Sequence, residues 1–444
     1  MASSDARIAV SSPAADSASA ERAPRKGRRR RRARRGKAGQ NTVSNAAANP
    51  AKSDSAKQAA RPVQRPAAPS PQAGQQGKSA RPNGGGRRPE GQRAQRPGDE
   101  QVYGALDLGT NNCRLLIARR SREGFKVVDA FSRIVRLGEG LTASGRLSDE
   151  AMNRATDALK VCAEKMKRRG VTRARLIATE ACRRAANGME FIERVKRDTG
   201  LDLEIVSNED EAKLAVAGCA PLLDRECSSA LVFDIGGGST ELIWVRQQGG
   251  SGSGERPHIE DWTSLPCGVV TLAEGHGGID ISPELYDRMV NEVSERIAPF
   301  IARLRAARGT DGEGSFHLLG TSGTVTTIAG VHLGLERYDR ARVDGIWITP
   351  EDVHRVTRDL LALDYQARAA HPCVGRERAD LVLAGCAIFE AIALAWPAER
   401  LRVADRGLRE GILLSLMEAD MARARRRRRR RRGARRAAAG ERSA

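Results

Sequence analysis

Aromatic side chains are scarce in this 444-residue chain, with 4 Trp, 4 Tyr and 7 Phe, and the first hundred residues have none at all. Those hundred residues are largely Ala, Pro, Gly, Gln and Arg, a composition that cannot bury enough apolar surface to offset chain entropy. Residues 1–100 are therefore expected to be a disordered basic tail. Long apolar runs are missing too: the best, 381–395, is broken by Glu390 and is too short for a bilayer span. No secretory leader is visible, so a cytoplasmic protein without a membrane partner is expected. There is no Cys-x-x-Cys pair and no His at zinc-ligand spacing. The eight cysteines (113, 162, 182, 219, 227, 267, 373 and 386) are scattered, which argues against a zinc or disulfide framework and for reduced, buried thiols.

Acidic residues are nearly absent from the two ends. Of the formal net charge of +21, residues 1–100 supply about 22 Lys and Arg against 7 acids, and residues 421–444 about 12 against 1. The stretch between them holds 42 basic and 47 acidic residues, so it is mildly acidic and long enough for two domains. The arginine runs at 28–35 and 425–432 are expected to bind polyanions such as polyphosphate, RNA or DNA by charge alone. Without interleaved aromatics they offer no base stacking.

What is present between the tails is an alternation of strand and helix patterns. Strands are predicted at 102–107, 113–119, 125–135, 175–178, 203–206, 230–234, 316–319 and 400–404. Ser148 caps a helix in which Met152, Ala155, Leu159, Cys162 and Met166 share one face and Gly170 marks the end. Further helices are predicted at 189–198, from Asn208 to about 223, and at 285–305, where Pro299 should kink or divide the helix. Others follow at 325–333, 350–361, 376–396 and 406–421. The Gly/Ser stretch 247–257 reads as a loop. Past Met421 no further folded element is expected, because like charges at i,i+4 weaken a helix.

Two segments repeat one grammar. In Ala105-Leu106-Asp107-Leu108-Gly109-Thr110-Asn111-Asn112 and Val232-Phe233-Asp234-Ile235-Gly236-Gly237-Gly238-Ser239-Thr240-Glu241, an apolar strand delivers an aspartate, turns at glycine and re-enters an apolar run. Asp107 and Asp234 lie 127 residues apart. Backbone N–H groups freed by glycine beside a carboxylate suit a metal-bound phosphate, and two facing turns would make a clamp. Thr110, Asn111, Ser239 and Thr240 add donors, and Glu241 is placed to reach a Mg²⁺ through water. Asn208-Glu209-Asp210-Glu211 reads locally as a helix start, with Glu211 in a capping-box position. At the head of a helix between two phosphate turns, the same Glu211 is also placed to orient a water. The two similar halves predict a duplicated α/β fold with a central cleft.

With the further segments Arg183-Arg184-Ala185-Ala186-Asn187, Ile205-Val206-Ser207-Asn208-Glu209-Asp210-Glu211-Ala212, Gly320-Thr321-Ser322-Gly323-Thr324 and Leu408-Arg409-Glu410-Gly411, residues 102–415 resemble the exopolyphosphatase/guanosine pentaphosphate phosphatase (Ppx/GppA) family, a branch of the actin, sugar kinase and Hsp70 superfamily. The resemblance implies an actin-like (ribonuclease H-like) fold of two domains, 101–225 and 226–421, with the 406–421 helix packing back on the first and a polyarginine tail at 422–444. It implies Glu211 as catalytic base and Asp107, Asp234 and Glu241 as acids near a Mg²⁺ ion. Phosphate contacts are implied for Gly109, Thr110, Asn111, Arg183, Gly236, Gly237, Gly238, Ser239, Thr240 and Ser322. Asn112 and Cys113 depart from the residues usual after the first turn, and the extra C-terminal helical domains of long members have no counterpart. The activity implied is Mg²⁺-dependent release of orthophosphate from polyphosphate or guanosine pentaphosphate. A nucleotide-dependent kinase of the same superfamily, a noncatalytic sensor of an alarmone or RNA, and a homodimer remain open from the sequence.

Overall fold

The computed structural model describes residues 101–122, 124–247, 257–308 and 315–440, with side chains as far as Arg430. The tail expected over 1–100 and all but the two ends of the 247–257 loop lie outside the described residues. The first sheet is built from Val102–Leu108 (β1), Asn112–Ser121 (β2), Gly124–Ile134 (β3), Arg173–Ala178 (β4) and Glu204–Ile205 (β5), in the order β3-β2-β1-β4-β5. β1 pairs antiparallel with β2 and parallel with β4. Its buried residues alternate between two cores: Val102, Leu106 and Leu108 face one, Tyr103 and Ala105 the other. A strand sandwiched in this way reads as an unbroken apolar run.

The second sheet repeats the plan with Ser229–Ile235 (β6), Thr240–Arg246 (β7), His258–Leu265 (β8), Phe316–Thr321 (β9), Trp347–Ile348 (β10) and Leu401–Ala404 (β11). Its order is β10-β11-β9-β6-β7-β8. β6 is antiparallel to β7 and parallel to β9, so β6, β7 and β9 take the places of β1, β2 and β4. This is the duplicated α/β arrangement that the repeated motifs imply.

The two lobes interlock through exchanged helices. Asn208–Cys219, the last long helix before the second sheet, lays Ala212, Ala215, Val216 and Cys219 against β6, β7, β9 and β11 of that sheet. The C-terminal helix Leu408–Gly440 lays Leu408, Ile412, Leu413 and Met417 against the first sheet. Where these helices meet, a Cβ on Gly411 would stand 2.0 Å from the Leu214 carbonyl oxygen, and one on Gly218 would stand 1.9 Å from that of Gly407. Only glycine permits this approach. On another side, Arg136 makes a two-pronged contact with Asp380 (2.7 and 3.1 Å), and the Gly140 N–H donates to Glu274 (2.9 Å).

Several elements differ from expectation. Pro283–Arg308 is one continuous helix despite Pro299. Pro299 is exposed, so the carbonyl it leaves unbonded faces water, while Val293, Ile297, Phe300 and Leu304 hold both halves to the core. The last helix continues through the arginine run to Gly440. Arginine and alanine are strong helix formers, and the docked first turns supply the nucleus. Strands β8 and β10 lie at the sheet edges, where mixed polar and charged residues hide the strand signature. The helix expected from 376 begins at Val382, because 376–381 is folded into turns closed by Arg378 N–H to Gly375 O and Leu381 N–H to Arg378 O. The helix at 208 is capped by Ser207, whose hydroxyl accepts from Asp210 N–H at 3.1 Å. That frees Glu211 from a capping role.

The close helix crossing gives a direct test. Gly411→Ala is expected to cost about 1–3 kcal/mol or more in denaturant unfolding, because its methyl meets backbone. Gly275→Ala, with open space around its Cβ, should leave stability unchanged or slightly raised.

Candidate active site

The two glycine turns are equivalent in hydrogen bonding as well as in sequence. Gly109 N–H donates to Asn112 O at 2.9 Å, and Gly236 N–H donates to Ser239 O at 2.9 Å. They abut: a Cβ on Gly237 would lie 3.0 Å from Thr110 Cβ, and one on Gly238 would lie 2.7 Å from Thr110 Oγ1. In the pair of turns, the N–H groups of Thr110, Asn111, Gly237, Gly238 and Ser239 find no backbone acceptor among the described residues. Free backbone donors grouped in this way form an anion-binding concavity. Both turns border a cavity of about 530 Å³ between the lobes.

Asp107, Glu211, Asp234 and Glu241 line that cavity. The β6–β7 register sets Asp234 directly opposite Glu241, and like charges so placed repel. Burial, then the neighbouring Asp107, pushes Asp234 up to about 6. Burial, then Asp234, pushes Glu241 up to about 7, although its Oε1 accepts from the hydroxyls of Ser239 and Ser264 at 2.8 Å each. Asp107 is raised by burial and opposed by Arg114 and Arg409. Glu211 is held well above the ordinary carboxylate range by burial and by Glu241, with Arg183 opposing. Its Oε2 accepts two N–H bonds from Arg183, both 3.2 Å. Among the described residues no donor contacts its Oε1.

The cavity gathers most of the residues singled out in the sequence: Asp107, Gly109, Thr110, Asn111, Glu211, Asp234, Gly236, Gly237, Gly238, Ser239, Glu241 and Ser322. Two stand apart. Thr240 is fully buried, and its hydroxyl donates to Cys267 O at 2.7 Å, so it braces the second turn from behind. Arg183 does not line the cavity; its guanidinium is spent on Glu180, Glu211 and the Val206 carbonyl. The arrangement makes it the residue that fixes Glu211. Among the described residues no three His, Cys, Asp or Glu side chains converge into a complete metal cage.

Four arginines beyond the sequence-derived candidates line the cavity: Arg406, whose guanidinium is held by Asp344, and Arg114, Arg378 and Arg409. Arg114 lies opposite Asp107 in the β1–β2 register and stands 127 residues before Glu241, so it is the first lobe's counterpart of that acid. A charged residue breaking an apolar strand at the repeat position was the available signal. Arg409 sat inside a matched motif, whereas Arg378 had no local signal. Atoms of Arg114 and Arg378 come within 4 Å of the Cβ position of Gly323, at the start of the helix Gly323–His332. Just before that helix, Ser322 has φ 97°, ψ 179°, and its buried hydroxyl has no partner. This conformation is nearly exclusive to glycine and is a strain that accompanies ligand sites.

The family model described as the Ppx/GppA phosphatase family matches residues 116–420. A crystal structure of an Aquifex aeolicus member of the Ppx/GppA protein family is 28% identical, with a TM-score of 0.59 over 72% of this chain and 98% of that one. An exopolyphosphatase from Cytophaga hutchinsonii is 25% identical, with a TM-score of 0.64 over the same shares. An exopolyphosphatase-like protein is 29% identical, with a TM-score of 0.63 over 71% of this chain and 97% of that one. Among the described residues no helix is long and apolar enough to cross a membrane.

Two measurements check the electrostatics and the strain. Asp234 and Glu241 hold protons to higher pH when folded than when unfolded, so the folded metal-free chain binds more protons between the ordinary carboxylate range and about 7. Their contribution to stability should therefore be present at pH 4 and fall as pH rises through 7. Glu241→Gln should flatten that slope in thermal melts taken in chelator. Ser322→Gly should raise stability by about 1 kcal/mol by relieving the backbone while lowering turnover.

Proposed function

The chain belongs to the Ppx/GppA phosphatase family, and we propose that it hydrolyses terminal phosphoanhydride bonds with Mg²⁺, releasing orthophosphate from inorganic polyphosphate, from guanosine pentaphosphate, or from both. The observation that carries this reading is the contact between two equivalent glycine turns, with free N–H groups and four carboxylates around one cavity. An anion surrounded by acids needs a cation between them. The donor set fits Mg²⁺, since it is all oxygen and incomplete without water and substrate, as that ion prefers. Asp107 and Asp234 would hold it, with Glu241 acting through water. When bound it supplies charge neutralisation to phosphoryl oxygens and carboxylates alike.

The remaining steps fall to the chain's own residues. Backbone N–H groups of the two turns, with the hydroxyl of Thr110, orient the terminal phosphoryl group, while the Ser239 hydroxyl stays on Glu241. Arg114, Arg378 and Arg409 bring positive charge to the phosphates behind it. Glu211, its Oε2 fixed by Arg183, offers Oε1 to a water and accepts its proton as the water oxygen attacks phosphorus in line. The bond to the bridging oxygen breaks, and the shortened polyphosphate or nucleotide leaves. Burial raises the affinity of Glu211 for a proton, the direction that makes a carboxylate a stronger general base. Fixed donors and neutralised charge account for most of the acceleration.

The test is orthophosphate release by the purified full chain from polyphosphates of several lengths and from guanosine pentaphosphate. Glu211→Gln should lower turnover about 10²–10⁴-fold with substrate binding kept. Chelation should abolish release, and added Mg²⁺ should restore it. Wild-type protein that binds these anions but releases no phosphate would sink the hydrolase reading.

A further inference from the structure

The C-terminal helix leaves the body of the protein as a cationic rod. Its last acid before Glu441 is Asp420, which is engaged by Arg173 (3.4 Å), Tyr103 (3.3 Å) and Arg423 (3.8 Å). Beyond it Arg423 and all six arginines from 425 to 430 are exposed, and the sequence adds Arg431, Arg432, Arg435 and Arg436. Consecutive residues of an α-helix are rotated by about 100° and rise about 1.5 Å. An unbroken arginine run therefore puts positive charge on every side of the rod rather than along one face. Its axial charge spacing matches the ~1.7 Å of duplex DNA with opposite sign. Neighbouring turns repel each other through like-charge i,i+4 pairs, a cost that a bound polyanion removes.

We propose that this rod is a second binding site for the same polyphosphate chain whose end enters the cleft, and that it makes the enzyme favour long chains. The inference rests on the phosphoanhydride hydrolase reading. A stiff duplex would meet only one side of the rod, whereas a flexible linear polyanion can wrap it. Residues 408–444 contain no aromatic, so single-stranded nucleic acid gains no stacking there, while polyphosphate needs only charge. The helix also fixes the distance. Arg409 lines the cleft, and on the same helix Arg423 lies about 20 Å and Arg430 about 30 Å further along. Tripolyphosphate is too short to bridge the two sites, and a chain of many tens of phosphates bridges them easily. For the longer chain the second contact is intramolecular and raises apparent affinity without any change in the chemistry.

The experiment replaces the arginines at 425–432 by glutamine in the full chain, with arginine-to-lysine replacement at the same positions as the charge-preserving control. At low salt the glutamine variant is expected to raise KM for long-chain polyphosphate roughly tenfold or more. KM for tripolyphosphate and kcat for both substrates should stay unchanged. The lysine variant should behave as wild type, and high salt should erase the difference. Equal effects on both chain lengths, or none, would overturn the proposal. Binding of long-chain polyphosphate to Glu211→Gln protein, with and without the glutamine run, tests the rod even if no phosphate is released. Loss of binding on glutamine replacement supports the site. Tighter binding of oligodeoxythymidylate than of polyphosphate at matched charge overturns it in favour of nucleic acid.

Discussion

The architecture depends on how closely two backbone turns approach. Gly237 and Gly238 lie so close to Thr110 and Asn111 that a Cβ on either would crowd them at 2.7–3.2 Å. This contact places donor groups from both lobes around one small volume. Loss of the contact would leave two ordinary hairpins with no shared site. The sheets, the exchanged helices and the Arg136–Asp380 tie are the means by which two interlocked lobes are held to that tolerance.

The duplication is symmetric in backbone and asymmetric in charge. Each lobe carries an aspartate next to last in its first strand and closes the turn with the same hydrogen bond. Across the strand pair, however, Asp107 faces Arg114 while Asp234 faces Glu241. The first lobe is thus internally balanced and the second is not. Burial is the main cause of the raised proton affinity of Asp234 and Glu241, with Asp107 adding to it at Asp234 and Asp234 adding to it at Glu241, and this excess of acids is where the proposed divalent cation would sit. Glu211 enters from a third element, fixed from behind by Arg183. The groups proposed to handle the proton, the phosphoryl group and the cation therefore sit on separate backbone segments and are tuned separately.

Strand and helix periodicity made most of the fold legible. The β1–β2 and β6–β7 hairpins, the capped helix after Ser148 and the amphipathic start of the last helix all follow from local pattern, because buried strands and one-sided helices must place apolar residues at fixed intervals. The edge strands β8 and β10 were hidden because an edge needs polar residues as much as apolar ones. Pro299 misled because the cost of a proline depends on where its unbonded carbonyl faces, which is a tertiary fact.

The order of residues along the chain determined that two acid-bearing glycine turns exist and what anion chemistry they suit. Short-range sterics and hydrogen bonding are encoded within a few positions. Only the folded chain decided which side chains share the cavity: it withdrew Thr240 and Arg183 to supporting positions, freed Glu211 by moving the cap to Ser207, and brought in Arg378 from a turn far along the chain. It also carried the last helix on through the arginines. These outcomes depend on long-range packing and on dielectric burial, which arise from contacts between segments hundreds of residues apart and leave no mark on any one of them.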